Sequence, residues 1–286
     1  MAGSMKAVKL RIKSVQSTMQ ITKAMQLVAA SKLRKAKEKA DQSKPYLETT
    51  LETLTDIANG NTDFRSPFTQ SGKNDKWLYV VIAGDRGLAG GYNSNLFKFM
   101  EAETKDRDDI TVLPIGKKSV EYFKHRKVPI FTEEYSEVAK VTISDCYQIA
   151  KLICDAYKNG EYGHIHLCYT NFVSMLSQVP TASSLLPIED LRSEEKKSDG
   201  KARDLILYEP DSETVFNAIV PEYLAVILYS CINISYASEL AARRTAMEAA
   251  TDNAEEMIDT LSLYYNRARQ ASITQEITEI VAGATL

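Results

Sequence analysis

Glycine and proline, the two residues that most often interrupt helices, are nearly absent from both ends of this 286-residue chain. Residues 4–57 contain Pro45 as their only proline, and no glycine lies between Gly3 and Gly60. Residues 222–286 contain no proline and a single glycine, Gly283. Because proline breaks a helix interior and glycine weakens it, neither stretch contains an obligatory helix end. We therefore predict one long helix at each end, and about 60 helical residues would extend roughly 90 Å.

Cysteine pairs and long apolar runs are also missing. The four cysteines, at positions 146, 154, 168 and 231, have no CxxC spacing, so we expect reduced, buried thiols of a cytosolic protein rather than disulfides or a zinc site. No run of 18 apolar residues occurs, so we expect no membrane-spanning helix. The first ten residues lack an apolar signal core, so secretion is not expected. A formal net charge of −3 with 44% hydrophobic residues is typical neither of bulk nucleic-acid binding nor of disorder.

Motifs for catalysis, metal binding and cofactor binding are absent as well. No HExxH, GxSxG or paired-carboxylate motif occurs, and His164 and His166 alternate on a predicted strand without a third metal ligand at a known spacing. The glycine cluster Gly84–Gly91 lies between a predicted strand and a helix, as phosphate-binding loops do. Its spacing fits neither the dinucleotide fingerprint nor the phosphate loop, whose end is imitated by Gly116–Ser119. We favour a structural turn over a nucleotide site, and we expect no catalytic residue, no metal and no cofactor.

Apolar residues of the terminal stretches recur at alternating steps of three and four residues, which is the spacing of a coiled-coil seam. The predicted seam of the last helix is Leu224, Ile227, Cys231, Ile234, Ile258, Leu261, Tyr265, Ala268, Ile273, Ile277, Ile280 and Ala284. The predicted seam of the first helix is Val8, Ile12, Val15 and Met19, continued on a neighbouring face by Ile21, Met25 and Val28. We predict that the two helices pair along these seams.

The charges of the two terminal helices are complementary. Residues 1–44 carry eleven basic and two acidic side chains, whereas residues 222–286 carry nine acidic and four basic ones. Each exposed ion pair contributes only a few tenths of a kcal/mol, so burial of the seam must supply most of the stability. The charges select the partner and its orientation. These observations predict a long antiparallel two-helix coiled coil.

The middle of the chain has the alternation of strands and helices that is typical of α/β domains. The predicted strands are 77–83, 110–115, 164–169 and 205–208; residues 174–186 are predicted to be extended and 191–202 to form a charged loop. The predicted helices are 93–105, 118–125 and 144–159. We expect Asn93 or Ser94 to cap the first of these and Ser144 or Asp145 the last, and we expect Pro210 and Pro221 to flank the start of the final helix. The predicted organisation is a coiled-coil helix at 1–58, a Rossmann-like α/β domain with a mostly parallel sheet at 76–209, and a second coiled-coil helix at 212–286.

Two short segments are apolar on nearly every face, namely Ala24–Ala30 and Ile273–Leu286. A two-helix coiled coil buries one seam only, so residues such as Leu27 and Val281 should face outward. Helix-end fraying or incidental contacts would explain this, but an apolar collar made by other chains is the sharper hypothesis. Arg267, Arg269 and Gln270 lie next to the terminal segment and could contact acidic groups on such a collar.

Four motifs resemble the gamma subunit of F-type ATP synthases. They are Ile21–Leu33, Gly84–Asn93, Thr245–Ala254 and Tyr265–Ile280, and the resemblance covers essentially the whole chain in order. The sequence departs from the family pattern at two places, and both departures are small. Ala89 stands where the family often has cysteine, and the tail ends in Ala284-Thr-Leu286 instead of a longer alanine-rich segment. The regulatory insert of chloroplast-type members, with its cysteine pair, is missing, so thiol control of that kind is not expected.

The resemblance implies a central rotor shaft rather than an enzyme. Its coiled coil would lie in the bore of a ring of alpha and beta subunits, with its α/β domain at the foot beside the epsilon subunit and the membrane c-ring. Ion flow would turn the shaft, whose asymmetric contacts would favour a different nucleotide-binding conformation in each beta subunit. The chain would be a peripheral protein of the cytoplasmic side of the cell membrane, serving ATP synthesis and hydrogen ion transport.

The family motifs also imply three sets of contact residues. The expected beta-subunit contacts are Lys23, Met25, Arg269, Gln270 and Glu276. The expected apolar bearing is Ile273, Ile277, Ile280, Val281 and Leu286. The expected foot, facing epsilon or the c-ring, is Tyr208, Glu209 and Asp211.

Two other functions fit parts of the sequence. A basic coiled coil could bind nucleic acid through residues 6–44, but this helix lacks the interleaved aromatic residues that stack on bases. A nucleotide-dependent α/β protein would use Gly84–Gly91, whose spacing is unsuitable. We expect no nucleic-acid partner and no nucleotide affinity of the chain alone.

Overall fold

The computed structural model describes residues 2–60, 64–70, 72, 74–107, 109–188, 191 and 208–284. These residues form two compact units, one comprising Met1–Ser31 and Arg243–Leu286 and the other Lys32–Ala242. The described helices are α1 (Ala2–Asn59), α2 (Tyr92–Glu103), α3 (Lys117–His125), α4 (Ile143–Lys158) and α5 (Ser212–Ala284). The described strands are β1 (Trp77–Ile82), β2 (Ile110–Ile115), β3 (His164–Phe172) and β4 (Gln178–Leu186). The predicted loop at 191–202 and strand at 205–208 lie almost entirely outside the described residues.

The fold class is as predicted, a long antiparallel pair of terminal helices together with an α/β unit. The last helix begins at Ser212, and Pro221, which was expected to flank its start, lies inside it. Asp211 explains this start, since its carboxylate accepts the backbone N–H of Thr214 at 2.7 Å and the Thr214 hydroxyl at 2.8 Å, which is the bonding of a helix cap.

The first unit contains the seam between the outer parts of α1 and α5. On α5 the buried and half-buried positions include Met247, Thr251, Ala254, Ile258, Leu261, Tyr265, Ala268 and Ser272, at steps of four and three. On α1 they include Val8, Ile12, Val15, Met19, Thr22, Gln26 and Ala29, at the same steps. The predicted α1 seam members Ile21 and Val28 were wrong, because they are 60% and 55% exposed. The predicted α5 seam was wrong at Ile273, Ile277 and Ile280 for the same reason, since they are 46%, 57% and 71% exposed. The regular spacing of α1 continues through Thr22, which is polar, and Ala29, which is small. A search for large apolar residues does not identify these two positions.

The second unit is built on a four-stranded sheet with the order β2-β1-β3-β4. Strand β1 pairs in parallel with β2 and β3, whereas β4 runs antiparallel to β3. Successive side chains of β1 point to opposite faces of the sheet. Leu78, Val80 and Ile82 belong to one buried cluster and Tyr79 and Val81 to another, so both faces are covered, as predicted.

Helix α5 is buried on most sides within the second unit. The sequence predicted a narrow seam at Leu224, Ile227, Cys231 and Ile234, but the buried set also contains Ala225, Val226, Leu228 and Ile232. This part of α5 is therefore a core helix of the α/β unit. An 18-residue window of α5 has a mean hydropathy of 1.7, high enough to cross a membrane by length and composition, and half of it is buried in the fold. Core helices pass the same test, so the absence of a span stays a prediction.

Two predicted helix caps were wrong for a local reason. Thr142, not Ser144, caps α4, and Asp145 reaches back to the Thr142 backbone N–H at 2.7 Å to complete a capping box. Gly91 occupies the cap position of α2 without a side-chain bond. The side chain of Asn93 accepts the backbone N–H of Gly84 instead, at 2.9 Å, and so closes the preceding turn.

All four cysteines are free and buried, as predicted. Burial raises the pKa of the Cys146, Cys154 and Cys231 thiols to about 12. The thiols are therefore protonated packing residues at neutral pH.

Candidate functional site

The crevice at the carboxyl ends of β1 and β3 is the place where α/β folds of this kind usually bind a ligand. Strand β2 lies on one side of β1 and β3 on the other, so the chain reverses direction across the sheet between them. Ligands of open α/β sheets bind at such a switch point, next to the glycine turn that follows the first strand. Here that turn is Gly84–Gly91, the cluster that the sequence singled out.

The turn is filled by protein rather than shaped for a phosphate. A Cβ atom on Gly84 would lie 2.8 Å from Cδ of Glu239, a side chain of α5 that is only 2% exposed. The Glu239 side chain therefore occupies space that a phosphate bound at this turn would need. The side chain of Asp85 also turns inward and accepts the backbone N–H groups of Val138 at 2.9 Å and Ala139 at 3.2 Å. The structural reading of the glycine cluster is thus supported by its contacts.

A buried polar network seats α5 in the same crevice. The hydroxyl of Tyr92 lies 2.8 Å from Oγ of Ser235 and donates to the Ser235 carbonyl oxygen at 3.0 Å. The backbone N–H of Thr170, in β3, donates to Oγ of Ser235 at 3.3 Å. The hydroxyl of Ser238 donates to the Thr170 carbonyl oxygen at 3.0 Å. Both serines have a relative exposure of 0%. Helix α5 therefore fills the crevice in which other α/β folds bind a ligand.

The two histidines of β3 belong to an aromatic stack on one face of the sheet. The ring of Trp77 stacks on His164 with a centroid distance of 4.3 Å and lies 4.9 Å from His166. The guanidinium of Arg107 lies 3.7 Å from the Trp77 ring centroid. Burial, and then the positive charge of Arg107, lower the pKa of His166 to about 4. Among the residues that the structure describes, no group of three or more His, Cys, Asp or Glu side chains is arranged to hold a metal.

The predicted beta-subunit contacts lie at two levels of the first unit. Lys23 is exposed and Met25 is half-buried on α1, close to the point where the hydroxyls of Thr22 and Thr251 meet at 2.8 Å. Arg269 lies 18 residues beyond Thr251 on α5, which is roughly 27 Å along the helix. Arg269, Gln270 and Glu276 are all exposed. The structure therefore brings each group to the surface but does not bring the two groups together.

The predicted apolar bearing is exposed wherever the structure describes it. Ile273, Ile277, Ile280 and Val281 are 46%, 57%, 71% and 58% exposed, and Leu27 is 65% exposed. Leu286 lies outside the described residues. Exposed branched side chains recurring over two turns form a surface patch of the kind that marks an interaction site.

Comparison with known proteins identifies the family. A family model described as ATP synthase matches residues 4–285. The gamma chain of Ruminococcus albus ATP synthase is 47% identical over 99% of this chain and 98% of its own length. The sodium ion specific gamma chain of Acetobacterium woodii is 38% identical over 99% of both chains.

The chain belongs to the ATP synthase gamma family. A rotor chain from the Euglena gracilis mitochondrial ATP synthase shares the fold, with a TM-score of 0.60 at 17% identity over 96% of this chain and 100% of that one. A second structure from the same organism, containing OSCP, F1 and the c-ring, gives a TM-score of 0.64 at 18% identity over 100% and 95%. The predicted resemblance is therefore confirmed, and the nucleic-acid and nucleotide-binding alternatives are not favoured. A gamma chain is the central rotor shaft of the complex and a non-catalytic subunit.

The predicted foot of this gamma chain lies at the start of α5. Tyr208 is half-buried against the core of the second unit, whereas Glu209 is exposed. Asp211 is exposed but also caps α5, and its hydrogen bonds with Thr214 lower the pKa of its carboxyl. A substitution there would therefore alter the helix as well as any contact surface.

Sequence reasoning missed two polar features of the helices. The serines at 235 and 238 are fully buried within α5, and Thr22 falls on the regular seam spacing of α1. Both could have been found by asking which polar side chains occupy positions that the apolar period requires to be buried.

Proposed function

We propose that this gamma chain couples the rotation of a membrane c-ring to conformational change at nucleotide sites on beta subunits. The observation that carries the proposal is the exposed apolar end of the paired helices, formed by Ile273, Ile277, Ile280 and Val281. Exposed apolar area of this kind is stabilised when another surface covers it. A collar of alpha and beta subunits around residues 273–286 is a partner that fits this surface.

The mechanism requires no reactive group on this chain. A shaft that contacts each beta subunit differently biases each subunit toward a different conformation, because only differential contact can shift an equilibrium. We propose Lys23 and Met25 at one level of the shaft and Arg269, Gln270 and Glu276 at the other as the beta-subunit contacts. Residues 1–58 and 212–286 would form the shaft, and 76–209 the α/β domain.

The foot is proposed to contact the epsilon subunit or the c-ring through Tyr208, Glu209 and Asp211. These contacts would hold the chain on the cytoplasmic side of the cell membrane as a peripheral subunit of a proton- or sodium-driven enzyme. The A. woodii relative is sodium ion specific. The choice of ion belongs to the ring, so this chain is compatible with either.

Reconstitution with alpha, beta and epsilon subunits tests the proposal. The complex should hydrolyse ATP and show a central rod in a low-resolution image, and in membranes it should pump ions. Replacing Arg269 and Gln270 with alanine should lower ATP hydrolysis, whereas Thr260→Ala, at an exposed position on the same helix, should not. Replacing Tyr208 and Glu209 with alanine should spare hydrolysis by the soluble complex and reduce pumping. Full pumping by that variant would exclude the foot assignment, and failure to assemble with alpha and beta would exclude the function.

A further inference from the structure

The carboxyl edge of the sheet holds α5 where other α/β proteins hold a ligand. Ser235 and Ser238 are fully buried there, and their partners come from two different elements, Tyr92 at the start of α2 and Thr170 in β3. The Ser235 hydroxyl also lies 3.4 Å from the carbonyl oxygen of Ile82, the last residue of β1. One short segment of helix is thus bonded to both strands that border the switch point and to the helix that follows the glycine turn.

Hydrogen bonds restrict this helix in a way that apolar packing does not. The apolar contacts of Leu224, Leu228 and Ile232 favour burial, but the hydrophobic effect is non-directional. Hydrogen bonds, by contrast, weaken as the donor–acceptor distance grows and as the angle departs from linear. A helix that turned about its axis or slid along it would leave buried donors and acceptors unpaired, which is costly. The serines therefore define both the rotation and the axial position of α5 in the crevice.

We propose that Tyr92, Thr170, Ser235 and Ser238 form a torque clamp. Their hydrogen bonds fix the shaft helix α5 to the α/β unit, in the crevice where other α/β folds bind a ligand. The four residues are positioning residues, and this inference rests on the proposed rotary function. The bonds on Ser235 are made by Tyr92 and Thr170 and the bond of Ser238 by Thr170, so the clamp resists rotation of the helix from two sides. The same arrangement places Glu239 of the clamped helix in the space next to Gly84.

The test measures coupling rather than stability. Complexes assembled with alpha, beta, epsilon and the c-ring in vesicles would carry Tyr92→Phe, Ser238→Ala or both, and ion pumping and ATP hydrolysis would be measured together against an increasing opposing gradient. Loss of these hydrogen bonds should shift the equilibrium between the seated and the displaced α5 roughly 5- to 30-fold toward the displaced helix. We expect the double variant to pump several-fold less ion per ATP at high load, with hydrolysis retained. Tyr122→Phe is the matched control, because its hydroxyl bonds to the Glu101 carboxylate at 2.7 Å away from α5.

Each outcome decides between the two proposals. An unchanged pumping-to-hydrolysis ratio in the double variant overturns the clamp. An unmutated chain that assembles no pumping complex overturns the proposed function instead. Tyr92→Phe removes a single oxygen, so it should still assemble if the double variant does not, and its ratio alone then decides: a fall supports the clamp and an unchanged ratio overturns it. A fall of the same size in Tyr122→Phe would also overturn it.

Discussion

Gly116, which connects β2 to α3, is the glycine whose replacement we expect to be most informative. Its backbone has φ +101° and ψ 141°, a conformation that side chains with a Cβ rarely adopt. A Cβ at this position would lie 2.2 Å from the carbonyl oxygen of Ala83 and 2.9 Å from Cγ2 of Val138. Backbone atoms supply the first of these clashes, so rotation of a side chain cannot relieve it.

The expected cost of Gly116→Ala has two parts. Holding a residue with a Cβ in this backbone region costs about 1–3 kcal/mol. Inserting a methyl group into packed surroundings costs about another 1–3 kcal/mol. The sum of roughly 2–6 kcal/mol is a large share of the 5–15 kcal/mol that typically stabilises a folded domain. The variant should therefore unfold at a much lower urea concentration.

Gly87→Ala is the matched control in the neighbouring turn. No atom lies within 4 Å of a Cβ built on Gly87, and its φ is not positive. Alanine at such a site restricts the unfolded chain and should be neutral or stabilising by about 0.4–1 kcal/mol. The contrast between the two variants isolates the local clash from any general effect of replacing glycine.

Fluorescence of the single tryptophan provides the assay. Trp77 lies in β1, stacked on His164 and beneath Arg107, so its emission should change when the α/β unit unfolds. Urea titrations of the three proteins would give their midpoints. Equal midpoints for Gly116→Ala and Gly87→Ala would refute the steric argument and would leave room for a ligand-binding role of this glycine.

Three further predictions concern the seam, a histidine and the thiols. Valine at Thr22 or Thr251 should destabilise the chain, and a double-mutant cycle should give a coupling of about 1 kcal/mol for the 2.8 Å hydroxyl pair; additive effects would contradict this. Folding lowers the pKa of His166 from 6.5 to about 4, so as the pH falls the imidazole is protonated in the unfolded chain before it is protonated in the folded chain. The stability that this provides above pH 6.5 should be lost as the pH falls to 4, by at most about 3 kcal/mol, and the loss should be smaller in His166→Gln. The four buried thiols should react with a thiol reagent only after urea unfolds the chain, and rapid labelling of the native protein would contradict their burial.

The local sequence of the glycine cluster was enough to argue against a nucleotide site but not to show what fills the space beside it. Its spacing was enough to argue against a nucleotide site, because a phosphate loop needs glycines at particular positions. The residue that fills the space, Glu239, is 155 positions from Gly84, so nothing near the cluster in sequence indicates it. Asn93 is similar, since it looked like a helix cap and instead bonds to Gly84.

The helix seams show a second limit. The outer seam of α5 was read correctly at Ile258, Leu261, Tyr265 and Ala268, because a repeat of apolar residues directly reports a buried stripe. On α1 the repeat continues through Thr22 and Ala29, and the apolar neighbours Ile21 and Val28 were chosen wrongly. A threonine is accepted in a seam when its hydroxyl finds a partner, and that partner, Thr251, is 229 residues away.

Local residue preferences were thus sufficient for the two long helices, the alternating strands of the middle and the family, because interruptions, periodicity and short motifs are properties of neighbouring residues. Long-range contacts alone decided which polar groups are buried. The seating of Ser235 and Ser238 at the sheet edge, the Thr22–Thr251 bond and the occupied crevice each join residues far apart in the chain. The physical reason is that a buried hydroxyl is stable only with a partner, and folding determines which partner lies beside it.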